Sequence, residues 1–274
     1  MNERHARRFP VSKRARCLAG GILWLCTMAD SPTAPIQDLP PMNALVLKQI
    51  ATMPAGGGYA TDLEAHTKLA SAVRGNRVSP PADSPSYCSG ATYLVFLKVL
   101  AALEKTGSVN LTAEDWQALA PRLRADGRDT LPDGEGIWGR WNANGPGTAR
   151  LFKLLGLGCN FTGLSEARPG DFLKIFWTGA VGKNERGHLV VFLGLEETSE
   201  GKSLRFWSSN QPDGYGEKTV PLSKVAATIF SRLEHPSRIT RWRDLPPLDP
   251  YLSKLLTTES SLPEALKRCG IVRK

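Results

Sequence analysis

The sequence predicts an α+β protein, on three observations. Helical patterns fill the chain as far as Leu157. Three strand-like runs follow one another after Pro169-Gly170. Between Ser89 and Lys105 lies a helix whose apolar residues cover nearly its whole circumference, as in a central buried helix. The expected architecture is a buried helix packed on a small antiparallel sheet. With 274 residues, 41% hydrophobic and 22% charged, the chain is long and apolar enough to bury one sizeable core.

The N-terminus reads differently from the rest. Arg4, Arg7, Arg8, Lys13, Arg14 and Arg16 stand against Glu3 and precede an apolar run from Cys17 to Ala29; Thr27 and Ala29 are the small residues of a cleavage site before Asp30. This order predicts a signal peptide over 1–29 and an exported, periplasmic or secreted product. A run of about 13 residues is short for a membrane span, so no stable membrane insertion is expected. The net charge is +9, but residues 30–274 hold 29 basic and 25 acidic residues. That mild surplus suits an anionic partner such as a cell-wall polymer. It does not argue for nucleic acid, and no basic stripe interleaved with aromatics occurs. Cleavage leaves Cys88, Cys159 and Cys269, an odd number, so at least one thiol is unpaired; a Cys159–Cys269 pair stays open.

Residues 30–40 are Pro-rich and read as a linker, and 41–274 as a single domain. Its N-terminal helical segment, 41–80, holds helices over 41–54 and 61–74, broken by Ala55-Gly56-Gly57-Gly58. Residues 76–87, with Pro80, Pro81 and Pro85, form a loop. After the helix to Lys105, residues 111–123 read as a helix with Thr112 as its cap. Residues 126–147 read as irregular, and 148–157 as a short helix ended by Gly158. Asp171–Trp177, His188–Leu195 and Ser203–Ser209 read as strands, with Glu196–Lys202 as a polar hairpin loop. Val220-Pro221 and Ile239–Trp242 add short strands, and 248–274 is a helical tail.

Cys88 sits where the Pro-rich loop meets the buried helix. Free N–H groups and the positive end of the helix dipole favour a thiolate there, and the Cys88 N–H is placed to meet an oxyanion. His188 opens an apolar strand after a polar loop and is the candidate base for that thiol. His5 falls in the signal peptide, His66 on a surface helix and His235 in a loop. Matching apolar to apolar across the hairpin pairs Phe192 with Phe206 and Val190 with Ser208, which sets Asn210 opposite His188. Asn210 is then the residue that orients the imidazole; a two-residue slip would substitute Ser208. Trp138, Trp141 and Asn142, with Tyr87, are candidate substrate contacts. There is no zinc-ligand spacing and no phosphate-binding glycine loop of the usual pattern, so no metal or organic cofactor is expected.

Tyr87-Cys88-Ser89-Gly90 before an apolar helix resembles the Asp-Cys-Ser-Gly nucleophile motif of the NlpC-type cell-wall cysteine peptidases. Arg168-Pro169-Gly170-Asp171-Phe172 is similar to the Pro-Gly-Asp that opens their first core strand. Gly187-His188-Leu189-Val190-Val191-Phe192-Leu193-Gly194 is similar to their histidine strand. The three occur in the family's order over about residues 84–212, and the related CHAP amidases share the plan. Tyr87 stands where the family has aspartate, and the third site residue, often histidine there, is not one here. The resemblance implies a papain-like fold, Cys88 as nucleophile, His188 as base, Asn210 (Ser208 in reserve) as third residue, and hydrolysis of amide bonds in peptidoglycan stem peptides. The alternatives are an inactive wall-binding module of the same fold, or an acyltransferase or hydrolase acting on non-wall amides.

Overall fold

The computed structural model describes residues 39–272. The signal peptide expected over 1–29 and most of the linker expected over 30–40 lie outside them. Helix α1 (Pro41–Ile50) begins on a proline, whose fixed φ suits a first turn. Strand β1 (Gly56–Gly57) follows, then α2 (Leu63–Ser71), capped by the Asp62 carboxylate on the Ala65 N–H. A short hairpin, β2 (Val73–Arg74) with β3 (Arg77–Val78), leads through the Pro-rich loop to α3 (Cys88–Lys105). Helix α4 (Ala113–Leu119) starts on the expected Thr112, in a reciprocal capping box with Asp115. Helices α5 (Gly136–Asn142) and α6 (Gly147–Leu155) come next, α6 ending at Gly156 in the left-handed conformation.

Strands then dominate: β4 (Gly158–Phe161), β5 (Phe172–Phe176), β6 (Val181–Gly182), β7 (Gly187–Thr198), β8 (Gly201–Asn210), β9 (Gly214–Pro221) and β10 (Ala227–Leu233). Strand β11 (Glu259–Ser260) pairs with β6, and α7 (Leu262–Arg268) closes the described chain. The main sheet runs β1-β9-β8-β7-β5-β10-β4 with every neighbour antiparallel. The protein is thus mixed helix and strand with an antiparallel sheet, compatible with the α+β class.

Alternation along the strands gives the sheet two apolar faces. One, with Phe172, Leu189, Val191 and Trp207, shares a core with α3, whose Tyr93, Phe96 and Leu100 are fully buried. The other holds Leu173, Ile175, Val190, Phe192, Phe206 and Phe230. The β7–β8 register is the one that apolar matching predicts: Phe192 opposes Phe206 and Val191 opposes Trp207. A bulge between Phe192 and Gly194 follows, and Gly194 takes φ 149°, where a side chain would be strained.

Three expectations need correction. Ile239–Trp242 is not a strand but part of a 3₁₀ helix over Pro236–Asp244. Only Ile239 there is buried, while the Trp242 indole and the Arg243 guanidinium both donate to Asp115. Residues 126–147 are not irregular throughout, because Ile137, Trp138 and Trp141 bury one side of α5 despite the surrounding Gly and Asn. Glu196–Lys202 is not a loop: β7 and β8 pair as far as Thr198 and Gly201, and its polar residues face solvent on a projecting hairpin.

The Pro-Gly-Asp run fastens the sheet to α1. A Cβ on Gly170, at φ 95°, would lie 2.6 Å from the Asn43 carbonyl oxygen. Asp171 is 0% exposed. Its carboxylate accepts from Asn43 Nδ2 at 2.8 Å, the Arg168 N–H at 2.8 Å, and Arg232 Nε and Nη2 at 2.9 and 2.7 Å. Removing one partner of such a buried pair strands the other. Asp171→Ala should lower unfolding free energy by about 3–5 kcal/mol in denaturant titration; a loss under about 1 kcal/mol would contradict this role.

Candidate active site

Tyr87 precedes α3 with extended backbone, φ −139° and ψ 163°, and gives the helix no side-chain cap. The first N–H groups of α3 therefore have no capping side chain, and Cys88, partly exposed, is the first helical residue. His188 comes one residue after β7 begins. In the register of the hairpin it falls opposite Asn210, and its Nε2 lies 3.0 Å from Asn210 Oδ1. The Asn210 amide is itself oriented, because its Nδ2 donates to Gly216 O at 2.8 Å and to Ser208 O at 3.3 Å. Oδ1 must therefore accept, Nε2 carries the proton, and Nδ1 is left to take a proton from the thiol. Phe206 meets the His188 ring edge to face at 5.7 Å, and Trp177 lies 6.3 Å away, which restricts the ring further.

The Cys88 thiol titrates well below the ordinary range, at about 6. Desolvation opposes ionisation, but the charge and hydrogen bond of His188, a backbone hydrogen bond from Leu189 and the charge of Lys174 outweigh it. The other two thiols go the opposite way. Desolvation and the neighbouring Glu234 push Cys159 up to about 11, and desolvation pushes Cys269 up to about 12. All three are free, so Cys159 and Cys269 do not pair. At neutral pH, Cys88 is the thiolate among them, which is the form that attacks a carbonyl carbon.

Tyr59 was not among the expected residues. The Gly-rich stretch that reads as a helix break is β1, paired with Tyr215 and Gly214 of β9. A Cβ on Gly57 would lie 2.8 Å from the Ser84 carbonyl oxygen, so only glycine lets the loop before α3 pass this close. Just after it, Tyr59 bridges Ser86, through Ala60 N–H to Ser86 O at 3.1 Å and Ser86 N–H to Gly58 O at 3.2 Å. That sets Tyr59 beside Cys88 on the wall of the same cleft, close enough for each to shift the other's titration. Burial and then the Cys88 charge hold the phenol far above its usual range, so it stays protonated and can donate. No local sequence pattern announces this residue, because the contact is made by folding alone.

Two clefts meet at the site. One, of about 430 Å³, is lined by Cys88, Ser89, Asn142, Asp133 and Lys174; the other, of about 300 Å³, by His188, Asn210, Trp177, Phe206 and Lys218. Tyr59 and Gly187 border both. Asn142 lies on the first cleft as expected of a substrate contact, with its Oδ1 accepting from Ser89 Oγ at 2.6 Å.

Trp141 borders the first cleft, but both tryptophans are buried. Trp138 and Trp141 are each 1% exposed, so neither presents a face to a substrate. Trp141 stacks on Phe96 at 5.0 Å, and its indole N–H donates to Ser89 O, so it supports the helix that carries Cys88 from inside. Tyr87 borders the first cleft, but its hydroxyl lies 2.7 Å from His66 Nδ1. His66 is therefore no bystander on a surface helix; it lines the cleft wall. Ser208 does not reach the ring, since its Oγ donates to Leu189 O at 2.8 Å.

The chain matches no protein-family model, no curated protein and no solved structure. Among the described residues, no group of three or more His, Cys, Asp or Glu is arranged to hold a metal ion, and no helix is long and apolar enough to cross a membrane.

Iodoacetamide at pH 7 should alkylate Cys88 at least about tenfold faster than Cys159 or Cys269, read by peptide mass mapping. Equal rates at the three thiols would contradict the low Cys88 pKa.

Proposed function

We propose that the protein is an exported cysteine hydrolase of papain-like fold that cleaves amide bonds in peptidoglycan stem peptides, as an endopeptidase or amidase. The observation that carries this is Cys88 at the start of α3, next to an imidazole whose far nitrogen is held by Asn210. The three motifs that resemble NlpC-type and CHAP enzymes support the wall-peptide substrate. The basic and apolar segment before Asp30 supports export.

In this mechanism the Cys88 thiolate attacks the amide carbonyl carbon, and the carbonyl oxygen becomes an oxyanion. In this reading the Cys88 N–H, at the first turn of α3, and the neighbouring Tyr59 hydroxyl donate to it. His188 gives its proton to the leaving nitrogen, the C–N bond breaks, and the amine departs, leaving a thioester on Cys88. A water then attacks the thioester with His188 as base, and the carboxylic acid half is released with the thiolate restored. Asn210 acts through His188 and is a positioning residue.

Purified peptidoglycan digested with wild type and with Cys88→Ala, with fragments identified by mass spectrometry, tests the reading. Wild type should release peptide fragments whose masses name the bond, and the variant none. Fragment release by the variant would overturn Cys88 as nucleophile, and an intact wall with both would overturn the substrate. Tyr59→Phe should lower kcat by roughly tenfold to a hundredfold with little change in KM, as expected for a donor used only in the transition state. An unchanged kcat would remove Tyr59 from the oxyanion site.

A further inference from the structure

We propose that the cleft on the Cys88 side is a cation-accepting subsite, in which Asp133 is the specificity-determining carboxylate for an ammonium group on the acyl half of the substrate. This rests on the hydrolase reading, which also fixes which half of the substrate lies there. His188 must hand its proton to the leaving nitrogen, so the amine half lies along the cleft that His188 lines. The acyl half then lies along the cleft that Cys88 and Asp133 share.

The charges of that cleft can be followed one at a time. Lys174 and Glu185 form an ion pair, and the second Glu185 oxygen accepts the N–H groups of Gly145 at 2.6 Å and Gly182 at 3.1 Å. Both side chains are largely buried, so the pair is neutral as a unit and its carboxylate is fully engaged. Arg124 and Asp129 stand exposed to solvent on the outer wall, and Asp129 Oδ1 lies 3.7 Å from His66 Nε2. His66 is engaged by Tyr87.

Asp133 is the buried charge of this cleft that no salt bridge meets among the described residues. It is 8% exposed; Oδ2 accepts the Asn144 N–H at 2.8 Å, and Oδ1 has no hydrogen-bond partner among the described residues. The free oxygen is not sealed in the protein but opens on the cleft, and a carboxylate this buried, with one neutral donor and no salt bridge among the described residues, favours a counter-charge there. Desolvation raises its pKa to about 6, against the Asn144 N–H and Lys174, which leaves it mainly ionised at neutral pH. Nor can it swing away easily. The next residue, Gly134, sits at φ 85° with its N–H on Gly139 O at 2.8 Å and its carbonyl taking the Asp249 N–H at 2.9 Å. A substrate cation supplies the missing counter-charge through a charge-assisted hydrogen bond to the free oxygen. A neutral side chain of the same length leaves the carboxylate as it was.

Peptidyl vinyl sulfones test this on the full mature chain. Each pair differs only in lysine against norleucine, at the first or second residue on the acyl side. The rate of Cys88 alkylation by each probe is followed by intact mass and divided by the iodoacetamide rate on the same protein. The lysyl probe of one pair should react at least about tenfold faster than its norleucyl partner, and in Asp133→Asn the two rates should converge. The wild-type ratio needs no variant, so it stands even if Asp133→Asn fails to fold. Equal lysyl and norleucyl rates, with Cys88 still far more reactive to iodoacetamide than Cys159, would overturn the subsite and leave the hydrolase reading intact. A lysyl preference that survives in folded Asp133→Asn would overturn the assignment to Asp133. A Cys88 no more reactive than Cys159 would overturn both the hydrolase reading and the subsite.

Discussion

The hydrogen bond between His188 and Asn210 depends on the register of one hairpin, and the chemistry of the site depends on that bond. Phe192 against Phe206 and Val191 against Trp207 set the pairing, and Ser208 locks it by donating to Leu189 O. A slip of one residue would carry every apolar side chain of β8 to the wrong face, so burial of both faces makes the register expensive to change. Because it holds, the Asn210 oxygen meets one ring nitrogen and the other is free for Cys88. The imidazole is thus oriented by the hairpin's apolar pairing, which also brings Phe206 against its ring.

Helix α3 answers a second demand, to carry a reactive thiol without surrendering rigidity. It is buried along nearly its whole length and wedged between the sheet and the aromatic side chains of α5, with only its first turn reaching the clefts. Trp141 shows how the work is divided: it touches Phe96, Phe172 and the Ser89 carbonyl, so it fixes where Cys88 sits from within the core. Burial raises the cost of a thiolate, and the placement of His188, the Leu189 N–H and Lys174 offsets it. Lys174 belongs to the same balance, since Glu185 holds it beneath the cleft.

What the sequence made legible follows the range of the interactions. The helix that carries Cys88, the three central strands and the pairing of His188 with Asn210 were readable, because apolar periodicity and alternation record local geometry and the two strands are consecutive. Tyr59 was not readable: a glycine run that breaks a helix also looks like a glycine run that lets two backbones approach, and only the fold distinguishes them. Asp133 and His66 were hidden for the same reason, as their neighbours come from distant segments. The tryptophans of α5 misled in the other direction, because a Gly- and Asn-rich surrounding suggests an exposed loop, whereas Tyr93, Phe96 and Phe172 offered them a core.

The central claim is that His188, oriented by Asn210, holds Cys88 as a thiolate at neutral pH. Its most direct test is the ultraviolet absorbance of the thiolate, wild type minus Cys88→Ser, followed from about pH 4 to about pH 10. The account predicts a single step at about 6, moved up towards the ordinary thiol range when His188 is replaced by alanine. A wild-type step that already lies in the ordinary range, unmoved by His188→Ala, would contradict it.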